Sequence, residues 1–361
     1  MSIRLSSLGV LIPLVIVFAA QPAFCQIAPL DASEPVTENA KVLSAVEDRD
    51  AAINLLEQSR RSFRPGSGGH PFMLRASFNA TGQTEFEGAG TLQEILATNS
   101  RWRMTSQIGH ATVVRLSTGT AVYGTSATEP VPLRLQLIWT AIFNPIPPLQ
   151  TNAAMLRTAD VNYKGASLTC VLSSGWISAA SASRYYQERE NCVDPQTHLL
   201  RVWSEKPGIY ADYDYENAID FHGNQVPRQI SITEGGNALV VIHIDSVEDL
   251  TEAGEAALKS TPDLVKTFPV VGAWDFPIHV PPVEGVPLDS RVIVHASVSA
   301  LDGTVVEAEA FNSANPILTR AAIEAVKAQR FSPNGTQREA FINVMFNSLP
   351  PGPTPGSANN Q

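Results

Sequence analysis

Cysteine is scarce in this chain, with 3 in 361 residues, and no Cys-x-x-Cys pair occurs. That excludes a zinc ribbon or a dithiol redox centre. Charge is sparse too, at 17%, and of the wrong sign for a polyanion partner: Lys plus Arg number 25 against 35 Asp plus Glu, a net charge of −10. A nucleic-acid binder needs a basic face to displace counterions, and docking on anionic lipid by charge alone needs the same. Neither class fits. The short catalytic motifs are missing as well: no Gly-x-Ser-x-Gly, no His-Glu-x-x-His, no Gly-Lys-Ser/Thr phosphate loop, no Gly-x-Gly-x-x-Gly opening a helix. The histidines stand scattered at 70, 110, 198, 222, 243, 279 and 295. No catalytic residue, cofactor-binding residue or metal ligand set emerges, and the chain reads as non-enzymatic with no cofactor.

What is present is apolar material for a core, 44% of the residues, with 26 Pro and 23 Gly to punctuate it. That balance favours strands and turns over helical bundles. The start of the chain has the form of a secretory signal. Arg4 precedes the apolar run 8–20, Gln21-Pro22 breaks it, and Ala23-Phe24-Cys25 offers small residues at the cleavage positions. The run is short of the ~20 residues that cross a bilayer. Residues 1–25 are therefore expected to be a cleaved signal peptide and the protein periplasmic. The alternatives are an uncleaved signal anchoring it to the inner membrane, or lipidation of Cys25, against which Phe24 stands. Cleavage would leave Cys170 and Cys192, either as two buried thiols or as a disulfide; export favours the disulfide.

Along the mature chain, 37–63 has apolar residues at near-helical spacing (Val42, Val46, Ile53, Leu56). From Phe72 the period becomes two, with Phe72, Leu74, Ala76 and Phe78 on one face and Met73, Arg75, Ser77 and Asn79 on the other. Short strand-like runs follow at 84–96, 101–106, 111–116, 119–124, 198–204, 210–217, 226–233 and 238–245, with a helical stretch at 131–144 stopped by Asn144-Pro145. Residues 37–250 are thus one antiparallel β domain with helices. Asp212, Asp214 and Glu216 alternate on one strand as a solvated face. The prolines of 251–288 predict an extended linker, and 348–361 a disordered tail.

Residues 289–347 have the order β-β-α-β. Leu301-Asp302-Gly303 supplies a turn, Asn315-Pro316 a helix start, Ala321, Ala322 and Ala325 a small-residue stripe, and Arg330-Phe331-Ser332-Pro333 a stop before a last strand at 338–347. This set, with Val305-Val306 and the Arg-Phe-x-Pro stop in register, resembles the TonB C-terminal domain family over about a sixth of the chain. The resemblance implies a docking module that captures an outer-membrane transporter, or another envelope protein, by strand addition. Phe341, Asn343 and Met345 on the last strand would be the partner-binding residues. Residues 1–24 hold no His, Val286-Pro287 replaces an expected Tyr-Pro, and a globular domain stands where a long span should be. The envelope adaptor role is implied, anchored energy transduction is not.

Residues 37–250 are similar, more loosely, to the LolA-like periplasmic lipoprotein carriers. The order of helix, strands, internal helix and strands matches, as does the pattern around Tyr213-Asp-Tyr215 and Val226-Pro227-Arg228. That resemblance implies an incomplete antiparallel β-barrel with a helical plug, an α+β protein overall. It makes Phe78, Trp102, Met104 and Trp139 candidate liners of a lipophilic cavity, with an ordinary filled core as the alternative.

Overall fold

The computed structural model describes residues 40–346 apart from 64–68, 82–85, 127–130, 150–154, 175–187, 207, 235, 268–269, 285–289, 300, 312–314 and 334–336. The expected signal peptide and tail lie outside the described residues. The chain runs through β1 (Lys41–Val42), helix α1 (Val46–Phe63), β2 (Phe72–Ala80), β3 (Gly88–Thr98), β4 (Arg101–Ile108), β5 (Ala111–Thr118) and β6 (Val122–Gly124). Helix α2 (Leu133–Phe143) precedes β7 (Met155–Tyr163), β8 (Ala166–Ser174), β9 (Arg189–Val193), β10 (Leu200–Lys206) and β11 (Ile209–Asp214). A small hairpin of β12 (Ile219–Phe221) and β13 (Asn224–Val226) leads to β14 (Gln229–Glu234) and β15 (Asn237–Asp249). The remainder holds α3 (Glu252–Ala257), β16 (Val265–Lys266), β17 (Val270–Val280), β18 (Ser290–Val298), β19 (Val305–Phe311), α4 (Pro316–Lys327) and β20 (Gln337–Phe346).

Among the described residues, 14 strands form one antiparallel sheet in the order β1-β7-β8-β9-β10-β11-β14-β15-β2-β3-β4-β5-β6-β16. The sheet is not closed. Its two end strands, β1 and β16, are each two residues long. Strand alternation gives it two faces. On one face, Phe72, Leu74, Ala76 and Phe78 of β2 stand in register with Leu96, Glu94, Leu92 and Gly90 of β3. These in turn meet Trp102, Met104, Ser106 and Ile108 of β4. Most of this face belongs to the main core, together with Ile242 and Ile244 of β15, Trp203 of β10, and Leu56 and Phe63 of α1. Helix α2 contributes Leu135 and Ile138 to it. Tyr213 of β11 ties the two helices together: Phe63 meets its ring edge-on at 5.2 Å, and its hydroxyl donates to the Ala141 carbonyl at 2.9 Å.

The opposite face carries two smaller cores. One lies under α3, where Leu258 and Leu264 cover Met73, Ile95, Val114 and Leu116. The other surrounds the Cys170–Cys192 disulfide, which links register partners on β8 and β9 across a sequence separation of 22. Beside it, Arg157 and Glu188 form a fully buried ion pair, with Nε to Oε1 at 2.8 Å.

Several expectations change. Helix α1 starts at Val46 rather than near 37, because the backbone of 41–42 pairs with β7. Its sheet-facing side is Ala52, Leu56, Ser59 and Phe63, while Val46 is 66% exposed. Residues 155–193, assigned no strands from the sequence, supply β7, β8 and β9. The β7–β8 turn is made by Lys164 (φ 50°) and Gly165 (φ 81°), the left-handed pair that a tight hairpin requires.

The segment 251–288, expected to be an extended linker, instead folds. It contains α3, β16 paired with β6, and β17, which joins the C-terminal sheet. That sheet has the order β17-β20-β18-β19, with α4 packed on it through Leu318, Ala322 and Val326. The helix starts as its sequence demands: Asn315 Oδ1 accepts from the Ile317 and Leu318 amides at 2.9 and 3.3 Å, and Pro316 opens the first turn. Strand β20 is not an edge. It pairs in parallel with β17 and antiparallel with β18. The open ribbon expected for strand addition is therefore already flanked on both sides. Proline richness signals an extended backbone, and an extended backbone is also what an edge strand needs. Pro277 stands in β17, the outermost strand on that side.

Candidate functional site

The four residues named as cavity liners fall on one face of the large sheet. Trp102 and Met104 alternate along β4, and Trp139 projects from α2 to donate its Nε1–H to Ser106 Oγ of the same strand at 3.0 Å. That bond holds α2 beside β4. Phe78, two strands away on β2, is buried in the main core and is filled core rather than cavity wall. Trp102, Met104 and Trp139 are only half-buried, and so is Val113 on β5. Three of the four are thus half-covered on the face that α2 flanks, while the fourth belongs to the filled core.

Two charges on that face were not read from the sequence. Glu94 of β3 and Arg115 of β5 are the register neighbours of Met104 on either side, and each is only 5% exposed. Arg115 Nη1 donates to Thr267 Oγ1 at 2.9 Å, and burial pulls its pKa down to about 10. Charged residues in an alternating strand are ordinarily assigned to the wet side. Phase alone did not reveal them: 94 and 115 keep step with Leu92, Leu96 and Val113, but the opposite phase, Ile95, Val114 and Leu116, is also a buried core.

The amino end of α2 is held by the C-terminal unit. Glu307 Oε2 on β19 accepts from the Leu133 amide at 3.0 Å. Glu309, two residues on, pairs with Arg134, whose Nε also donates to the Thr81 carbonyl at 2.9 Å. Gln136 Nε2 reaches Ser297 Oγ of β18 at 3.5 Å, and Ile293 of β18 enters the main core. Helix α2 is therefore shared: one end lies under β18 and β19, and Trp139 further along borders the apolar flank.

The expected partner-binding residues sit inside a sheet. Phe341 is opposite Asp275 and His295, Asn343 opposite Pro277 and Ile293, and Met345 opposite His279 and Arg291. Among the described residues, Cys170, Glu190 and Cys192 bring ligand-type atoms within 4.8 Å of one another, but both sulfurs are bonded in the disulfide. Asp212, read as a solvated carboxylate, pairs with Lys164 and lies 3.4 Å from the Tyr163 hydroxyl.

No protein-family model matches the chain, and no curated protein does. Among solved structures it is similar to a LolA superfamily protein from Nitrosomonas europaea, at 14% identity and a TM-score of 0.38, covering 59% of this chain and 95% of that one. A DUF1329 family protein from Desulfovibrio piger gives 7% identity and a TM-score of 0.38 over 58% of this chain and 96% of that one. An outer membrane lipoprotein-sorting protein domain from Vibrio parahaemolyticus gives 6% and 0.37 over 56% and 94%. With TM-scores below 0.5, none of the three supports a statement about function.

Proposed function

We propose that this protein is an exported, non-catalytic carrier that holds a lipid, or the acyl part of a lipoprotein, on the α2-flanked face of its open sheet. The observation that carries this reading is the half-covered flank of Trp102, Met104, Val113 and Trp139 on the sheet face that holds the main core. Flexible Met and broad aromatic rings suit an acyl chain of variable shape. The signal-like residues 1–25 and the disulfide support a periplasmic setting. Among the described residues no helix is long and apolar enough to cross a membrane. Strand-addition docking to an outer-membrane transporter gains no support, since β17 occupies the side of β20 where a partner strand would add.

The test is native mass spectrometry of protein purified from the envelope, with uptake of an environment-sensitive apolar dye. Adducts of lipid mass and saturable dye binding are expected. Met104→Glu should weaken dye binding by at least about tenfold, a 1.4 kcal/mol effect, whereas Gln107→Glu at an exposed position of the same strand should leave it unchanged. Protein that is empty in the mass spectrum and takes up no dye would sink the reading.

A further inference from the structure

At the amino end of α2, two carboxyl groups converge on one guanidinium. Glu309 and Arg134 pair there with side chains 8% and 4% exposed. Glu307 on the same strand brings a second carboxyl group. Its Oε2 takes the Leu133 amide, while its Oε1 is buried and accepts no hydrogen bond. A buried carboxylate requires partners for both oxygens, whereas a carboxylic acid carries a proton on one of them. Among the described residues, the charged groups that act on it are Glu309, Arg134 and His295 of β18, the register neighbour of Glu309. Helix α2 presents Arg134, already engaged with Glu309 and the Thr81 carbonyl.

We propose that seating of the C-terminal unit on α2 is coupled to uptake of one proton at Glu307, so that β19 grips the helix more firmly in mildly acidic surroundings than at pH above 7. This holds whatever the sheet carries. Burial, with the neighbouring charge of Glu309, raises the Glu307 pKa from 4.5 to about 7, against the lowering influence of the Leu133 amide, His295 and Arg134. The sign follows from linkage. Below pH 4.5 Glu307 is protonated both seated and released. Between 4.5 and 7 only the seated form keeps the proton, and each step upward in pH favours release. Above about 7 neither form keeps it, and the seated form bears a buried anion.

The experiment is hydrogen–deuterium exchange on the full chain from pH 5 to 8, corrected for intrinsic exchange, following peptides that cover 131–143 with those covering 72–80 as reference. In the wild type, protection of the first turn of α2 should fall at least about tenfold between pH 5 and 7 and then level, since each unit of pKa difference is a factor of ten. Glu307→Gln should keep its protection at pH 8, and His295→Gln should follow the wild type. Flat wild-type protection, which needs no variant to fold, overturns the proposal. So does a decline shared with 72–80, an unchanged decline in Glu307→Gln, or a decline abolished by His295→Gln while Glu307→Gln retains it.

Discussion

Gly303 shows how one atom can decide a local fold. Its φ is +69°, and a Cβ there would lie 1.7 Å from the Phe331 carbonyl oxygen. The two residues also share a backbone hydrogen bond, Phe331 amide to Gly303 carbonyl at 2.8 Å. Gly303→Ala should therefore destabilise the C-terminal unit by at least about 2–4 kcal/mol, combining left-handed strain with backbone displacement. Gly165, at φ +81° with nothing within 4 Å of its added Cβ, is the comparison: Gly165→Ala should cost only about 1 kcal/mol. Urea unfolding of both variants checks this, and equal losses would show that the contact with Phe331 yields freely. The Asp302-Gly303 turn was legible because Asp-Gly between alternating runs has a mechanism. Glu94 and Arg115 were not, because a charge in a strand is readable as inward only when its neighbours fix the phase.

Elements differ in how much of themselves the sequence shows. Helix α4 is legible in its cap and its proline, which are local; of its expected stripe Leu318 and Ala322 are buried, while Val326 rather than Ala325 completes the packed side. The alternation of β2 is legible for the same reason, except that Met73 is buried by α3 rather than left wet. Helix α1 is legible in kind and misleading in phase. Val46 keeps the apolar spacing but lies at the exposed start, and the packed residues are set by the sheet beneath. Strand β17 is illegible because its pairing with β20 spans some 60 residues of intervening chain, and nothing within 270–280 specifies a partner so distant. At this scale the prediction concerns α1. Leu56 is 2% exposed in the main core, so Leu56→Ala should cost about 2–5 kcal/mol, whereas Val46→Ala should stay within about 0.5 kcal/mol. Thermal and urea unfolding separate the two, and similar losses would mean α1 is not seated as described.

For the whole molecule, helix α2 is where the two sheets meet. The Arg134–Glu309 pair is nearly dry on both sides, so Glu309→Ala should leave a buried guanidinium and cost about 3–5 kcal/mol. Replacing both partners, Arg134→Met with Glu309→Leu, should recover most of that loss, because an apolar pair of similar size removes both desolvation penalties. Calorimetric unfolding of the single and double variants closes the cycle, and a double variant as weak as the single one would show that the charge itself is required. Strand β17 has a further consequence for biogenesis. It leaves the ribosome before β18, β19, α4 and β20, yet its neighbour in the C-terminal sheet is β20, the last of these to emerge. During synthesis, 270–280 must wait without its mate until β20 has emerged. A product cut short before Gln337 would leave that waiting segment orphaned and adhesive.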